Sequence, residues 1–223
     1  FQYARYEMIV SSRDTTITRA GYEIPNDRFH HQYAAWNISW SPQSYSAHFL
    51  NENVEKFFGS VETTNMSSLA EPLMRWIEEL AQTGAKTAKS DFGFRGWMAP
   101  HYSDAWASTS LKFGSNSTAN EWGMWPMGGT WLCNNVWDHY DFSRDLEDAE
   151  QYYELLKGCS LFCLDYLQYD PKTGFYSTSP STSPENQHAS SLKGEANNGR
   201  NYALDTGSTV DVALVREVFK NTL

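Results

Sequence analysis

Apolar positions recur at helical spacing in several stretches of this chain, and polar segments studded with aromatic rings lie between them. Phe1, Tyr3, Tyr6, Met8, Ile9 and Val10 predict a first helix ending near Ser11, Ser12 and Arg13. A polar, irregular segment then runs to about Ser44. It holds Pro25 and Pro42 with Tyr33, Trp36 and Trp40, which predicts a long loop packed down by its rings. A second helix is expected over residues 45–58, with an irregular turn at Asn51 and Asn53, because asparagine spends its amide on local hydrogen bonds and is a mediocre helix former. Ser68 to Glu71 reads as a capping box with Pro72 just inside it, and Leu69, Leu73, Met74, Trp76, Ile77 and Leu80 trace one apolar face as far as Gly84. A short helix over 85–90 should stop near Gly93.

Between Gly96 and Trp106 the sequence GWMAPHYSDAW is too rich in Gly and Pro for a helix and too rich in rings for a plain linker. Gly128 and Gly129 lead into an apolar run over 130–142, and a longer helix is expected over 146–167 from the spacing of Leu155, Leu156, Cys159, Phe162, Cys163 and Tyr166. Ser208 to Asp211 offers another N-cap, followed by a last helix carrying Val212, Leu214, Val215, Val218 and Phe219. No alternation of period two is sustained over several strands. The pattern predicts an all-α class of successive antiparallel helices, with long loops gathered at one end.

Charge narrows the partners. Seventeen Lys and Arg against 27 Asp and Glu give a net charge of −10, a surface that repels phosphate backbones, so nucleic acid and anionic membrane are excluded as partners. No uninterrupted apolar stretch is long enough to span a bilayer. A neutral ligand fits better, and aromatics at 15% supply both core and the ring faces on which sugars stack. Cys133, Cys159 and Cys163 read as buried thiols, and no His, Cys and Asp grouping has metal-ligand spacing, so neither a metal nor another cofactor is expected. The chain opens on Phe1 already inside an apolar pattern, which reads as an incomplete domain, residues 1–223, cut from a longer chain with flanking domains.

The stretch GFYSTSPSTSPEN, residues 174–186, carries one acidic residue, Glu185, directly after Pro184. Proline fixes its own φ and restricts the residue before it, so this loop presents the Glu185 carboxyl from a stiff backbone, as general acid catalysis requires.

Taken in order, FQYARYEMIVSSR, TTNMSSLAEPLMRWI, GWMAPHYSDAW, WGMWPMGGTWLCNNVWDHY, LLKGCSLFCLDYL, STSPSTSPEN and STVDVALVREVF resemble the catalytic region of glycoside hydrolase family 95 over nearly the whole chain. The resemblance implies a partial (α/α)6 toroid with long active-site loops. It also implies removal of terminal α-1,2-linked L-fucose from an oligosaccharide or glycan with inversion, or of α-L-galactose; a non-catalytic carbohydrate-binding homologue is the alternative. Glu185 matches the family's general acid. Asn51 and Asn53 match the pair that orients and activates the attacking water, with help from an aspartate whose family position lies beyond Leu223. By the same resemblance His48, His101, Asp104 and Trp125 are candidate substrate-binding residues; His101 and Asp104 read equally well as braces of their own loop.

The chemistry agrees with these residue types. A sugar alkoxide leaves only when protonated, while water enters from the opposite ring face. An amide orients water through its carbonyl oxygen but becomes a catalyst only when a carboxylate polarises it. Two departures bear on the asparagine pair. The family places a His or Thr two residues before the first Asn, whereas His48 stands three before Asn51, and an MNYWPAE-like run is replaced here by Glu55 to Glu62.

Overall fold

A computed structural model describes residues 1–13, 15–26, 28–29, 40, 47–110, 120–146, 149–186, 188–189, 201–202 and 204–223. Among them the helices are α1 (Gln2–Ser11), α2 (Asn53–Phe58), α3 (Glu71–Thr87), α4 (Asn120–Gly123), α5 (Gly128–Ser143), α6 (Ala149–Tyr166) and α7 (Thr209–Thr222). The strands pair two by two and antiparallel: β1 (Thr15–Arg19) with β2 (Tyr22–Asn26), β3 (His48–Phe49) with β4 (Tyr102–Ser103), β5 (Leu167–Asp170) with β6 (Phe175–Thr178), and β7 (His188–Ala189) with β8 (Asn201–Tyr202). The chain is mostly helical, in agreement with the all-α class. No helix among the described residues is long and apolar enough to cross a membrane.

Helix α3 shows how period becomes packing. Leu73, Trp76, Ile77, Leu80 and Gly84 recur every three or four residues and are all buried, and the first four join Leu132 and Val136 of α5 and Phe162 of α6 in one hydrophobic cluster. Helix α6 packs against both α5 and α7, and α5 also meets α7. The thiols of Cys133, Cys159 and Cys163 are free and buried within this cluster, where Cys159 Sγ lies 3.3 Å from Thr130 Oγ1.

Four local expectations are corrected. Within the predicted helix over 45–58, the described residues are helical from Asn53; ahead of it His48 and Phe49 extend to pair with Ser103 and Tyr102. Ser68 does not cap α3, because Ser67–Leu69 form a 3-10 turn and Ala70 takes the N-cap position. Gly84 does not end α3, which continues to Thr87 and closes through a π turn, Ala88–Phe92, onto Gly93 at φ +73°. The polar stretch after α1 contains the β1–β2 hairpin, turning at Ala20 and Gly21 with φ of +51° and +81°. Tyr33, Trp36 and residues 41–46 lie outside the described residues.

The segment from Gly96 to Ser103 threads between three helices and carries the structure toward the site. Trp97 N–H donates to Gly158 O of α6, Gly129 N–H of α5 donates to Ala99 O, and Leu50 N–H donates to His101 O over 2.7 Å. The slot is cut by residues that lack a Cβ. A Cβ on Gly84 would stand 2.1 Å from Met98 O, and one on Gly96, whose φ is +68°, would stand 1.8 Å from Gly158 O.

Candidate active site

Three backbone segments meet here, two of them lining one cleft and the other touching Glu185. The first is the turn from β3 into α2. In a strand successive side chains point to opposite faces, so Phe49 turns toward the cleft and His48 turns inward. His48 is buried with its ring 4.7 Å from that of Phe29 and 5.3 Å from that of Trp76, and it does not join the cleft wall. Position 49, two before Asn51, is the one the alternation delivers. Asn51, Glu52 and Asn53 follow along the same wall, with Glu52 paired to Lys56 one turn on.

The second segment ends at His101. Its imidazole is 1% exposed as a residue and is enclosed by Phe49, Tyr102 and Trp122, at ring separations of 5.3, 5.5 and 6.5 Å. Burial disfavours the imidazolium and pushes the His101 pKa down to about 4, so the ring is neutral near pH 7. Asp104 lies nearby in sequence but serves its own loop: Oδ1 accepts from the Trp106 and Ser108 N–H groups over 2.9 and 3.2 Å, and its carbonyl accepts from Trp76 Nε1.

The third segment is the loop after β6. It is fixed to α7 by Asp211, which has no solvent exposure and accepts from Thr178 and Ser181 hydroxyls at Oδ2 over 2.8 and 2.7 Å, and from the Trp125 indole at Oδ1 over 2.7 Å. Ser181 also exchanges two backbone hydrogen bonds with Asp205, and Tyr166 donates to Pro180 O. Ser208 does stand at the N-cap position of α7, yet its hydroxyl donates to Thr182 O, tying the helix to this loop instead of closing its own first turn. Beyond these anchors the loop delivers Pro184, Glu185 and Asn186 to the cleft.

Glu185 faces the asparagine turn across a cleft of about 470 Å³ whose lining also includes Phe49, Asn51, Glu52, Asn53, Pro184 and Asn186. Asn51 Nδ2 donates to Pro184 O over 3.5 Å, while Asn51 Oδ1 is buried and has no hydrogen-bond partner among the described residues. His101 Nε2 reaches to 3.5 Å from Glu185 Oε1, and the Glu185 side chain remains 54% exposed. The arrangement places a carboxyl able to give a proton opposite an amide oxygen able to hold a water.

The model of the glycosyl hydrolase family 95 catalytic domain matches residues 1–223. The chain belongs to glycosyl hydrolase family 95. This family 95 chain is 36% identical over 220 residues to "Alpha-L-fucosidase 2" of Arabidopsis thaliana, covering 98% of this chain and 24% of that protein. It is 30% identical over 190 residues to "Probable alpha-fucosidase A" of Aspergillus niger, covering 83% of this chain and 22% of that protein. The family 95 chain therefore spans about a quarter of the length of these relatives.

Of the residues singled out in the sequence, the structure gathers Glu185, Asn51, Asn53 and His101. Trp125 does not join them: its ring is fully buried and its N–H is held by Asp211, so no face is open for a sugar to stack on. Asp211, which the sequence pattern places only at a helix start, is the anchor of this loop. Its signal was an acidic residue three and four positions ahead of Leu214 and Val215, on the apolar face of the last helix.

Proposed function

We propose that this chain contributes the acid and water-orienting groups of a glycosidase that removes terminal α-1,2-linked L-fucose from oligosaccharides with inversion, within a catalytic (α/α)6 toroid. The observation that carries the reading is the placement of Glu185 and the Asn51–Asn53 turn around one cleft. Both named relatives are fucosidases, which supports fucose as the sugar released.

In this reading Glu185 donates its proton to the leaving glycosidic oxygen, so that the departing sugar leaves as an alcohol. The buried Oδ1 of Asn51 accepts from a water on the opposite ring face and aims it at the anomeric carbon, with Asn53 beside it. The cleft wall suits an uncharged substrate: Asn51, Asn53 and Asn186 offer neutral amides, Phe49 lines it with a ring, and the Glu52 carboxylate is engaged by Lys56.

The test is Glu185→Gln in the whole encoded protein, assayed for fucose release from a 2′-fucosylated oligosaccharide, with the anomer of the first-formed fucose read by NMR. Loss of turnover with the fold intact, and first appearance of the β-anomer in the parent, are the expected results. A parent rate in the variant would remove Glu185 as the acid, and an α-anomer formed first would remove inversion.

A further inference from the structure

We propose that His101 is a positioning residue for Glu185: its Nε2–H holds the Glu185 carboxyl at Oε1 and strengthens that hold as the carboxyl gives up its proton. The inference rests on the reading of Glu185 as the acid.

Nε2 stands 3.5 Å from Oε1, the imidazole side chain is 2% exposed, and neither ring nitrogen has a hydrogen-bond partner among the described residues, so the Glu185 carboxyl is the acceptor within reach of Nε2. The ring cannot swing to find another partner, because Phe49, Tyr102 and Trp122 pack around it and the His101 carbonyl is tied to Leu50 N–H. Among the described residues, the titratable groups lining the cleft or packed on His101 are Glu185, Glu52 and Tyr102, with Lys56 the cation beside Glu52.

Burial settles which form of His101 is useful. An imidazolium this close would favour loss of the Glu185 proton before substrate arrives. A neutral ring still offers one N–H, and a neutral donor interacts weakly with a protonated carboxyl but more strongly with the carboxylate that forms as the proton leaves. That difference acts on the transition state more than on the ground state. Fixing Oε1 also leaves Oε2 as the oxygen that carries the transferable proton.

The test compares His101→Phe, His101→Met and His101→Gln with the parent and with Glu185→Gln in the whole encoded protein. The readouts are the pH profile of kcat/KM, kcat against KM, and thermal melts. Phe and Met lack the N–H, so both are expected to lower kcat about tenfold to a hundredfold with little change in KM and to move the basic limb to higher pH. Gln places an amide N–H near the Nε2 position and is expected to return the limb toward the parent. A basic limb that stays put in Phe and Met, or a Gln variant no better than Met, overturns the proposal even where kcat falls. If Phe does not fold, the Met and Gln pair decides alone. Full activity in Glu185→Gln would instead sink the acid assignment, and the two failures are distinct.

Discussion

The indole N–H of Trp125 donates to Asp211 Oδ1 over 2.7 Å, and neither residue is exposed to solvent. Thr178 and Ser181 occupy the other carboxyl oxygen, so one side chain of α7 joins the segment before α5 to both ends of the turn that follows β6. Removing the carboxyl strands the buried Trp125 and Thr178 donors, each costing about 1–3 kcal/mol when left unmade, while the Ser181 hydroxyl turns to Ser208 Oγ at 2.9 Å. Asp211→Ala is therefore expected to destabilise the protein by roughly 3 kcal/mol or more by denaturant titration. Asp211→Asn keeps the size but presents an NH2 group to a donor, and is expected to lie between Ala and the parent. Under the proposed function, both variants in the whole encoded protein should lower fucose release in the fraction that stays folded, because the Glu185 loop hangs from this anchor. Parent stability in Asp211→Ala would show that the anchor contributes nothing.

The sequence made the long helices legible, because α3, α5, α6 and α7 each bury residues three and four apart and nothing local competes with that period. Short pairings were not legible. Strand β3 is two residues long and owes its extension to β4, more than fifty positions away, which no local pattern announces. The β5–β6 hairpin did leave a signal in Pro171 to Gly174, where Gly174 adopts φ +77°, but α6 runs straight into it and the apolar count carried the helix one residue past Tyr166. At the candidate site, the motif pointed to Glu185, Asn51 and Asn53, which line one cleft. His48 and Trp125 were misplaced because a residue type says nothing about which face the backbone turns it to. Strand alternation and a buried carboxyl decided those two positions.

Gly84→Ala sets two known effects against each other. Alanine is the better helix former by about 1 kcal/mol, and Gly84 lies inside α3, so propensity alone favours the change. The new Cβ would stand 2.1 Å from Met98 O, a backbone atom of the segment wedged among α3, α5 and α6. Overpacking of this kind costs about 1–3 kcal/mol, and a backbone that cannot rotate away pushes the cost to the upper end. A net loss of about 1–2 kcal/mol is expected from denaturant titration. Because His101 lies three residues beyond Met98, the same shift should also depress kcat. A gain in stability would mean that the 96–103 segment yields more easily than its hydrogen bonds imply.

Glu55 gives the protein a pH dependence of its own. Its side chain sits in the first turn of α2 on the face turned from water, at 4% exposure, and only the backbone N–H groups of Glu55 and Glu52 offset that burial. Burial raises its pKa from 4.5 to about 8, which keeps the group protonated in the folded protein near neutrality. The unfolded chain releases this proton near pH 4.5, and the folded chain keeps it until about pH 8. Folding then binds a proton throughout that window, so stability is greatest at its acid end and falls as pH rises, by on the order of 1 kcal/mol per pH unit before other groups are counted. Glu55→Gln fills the same space with a side chain that cannot ionise. Denaturant titrations at pH 5 and pH 8 are expected to show a clear loss of stability in the parent between the two and a much smaller loss in the variant. An identical difference in both proteins would place the Glu55 carboxyl in contact with water, leaving its backbone carbonyl, which accepts from Asn135 Nδ2, as the contact that matters.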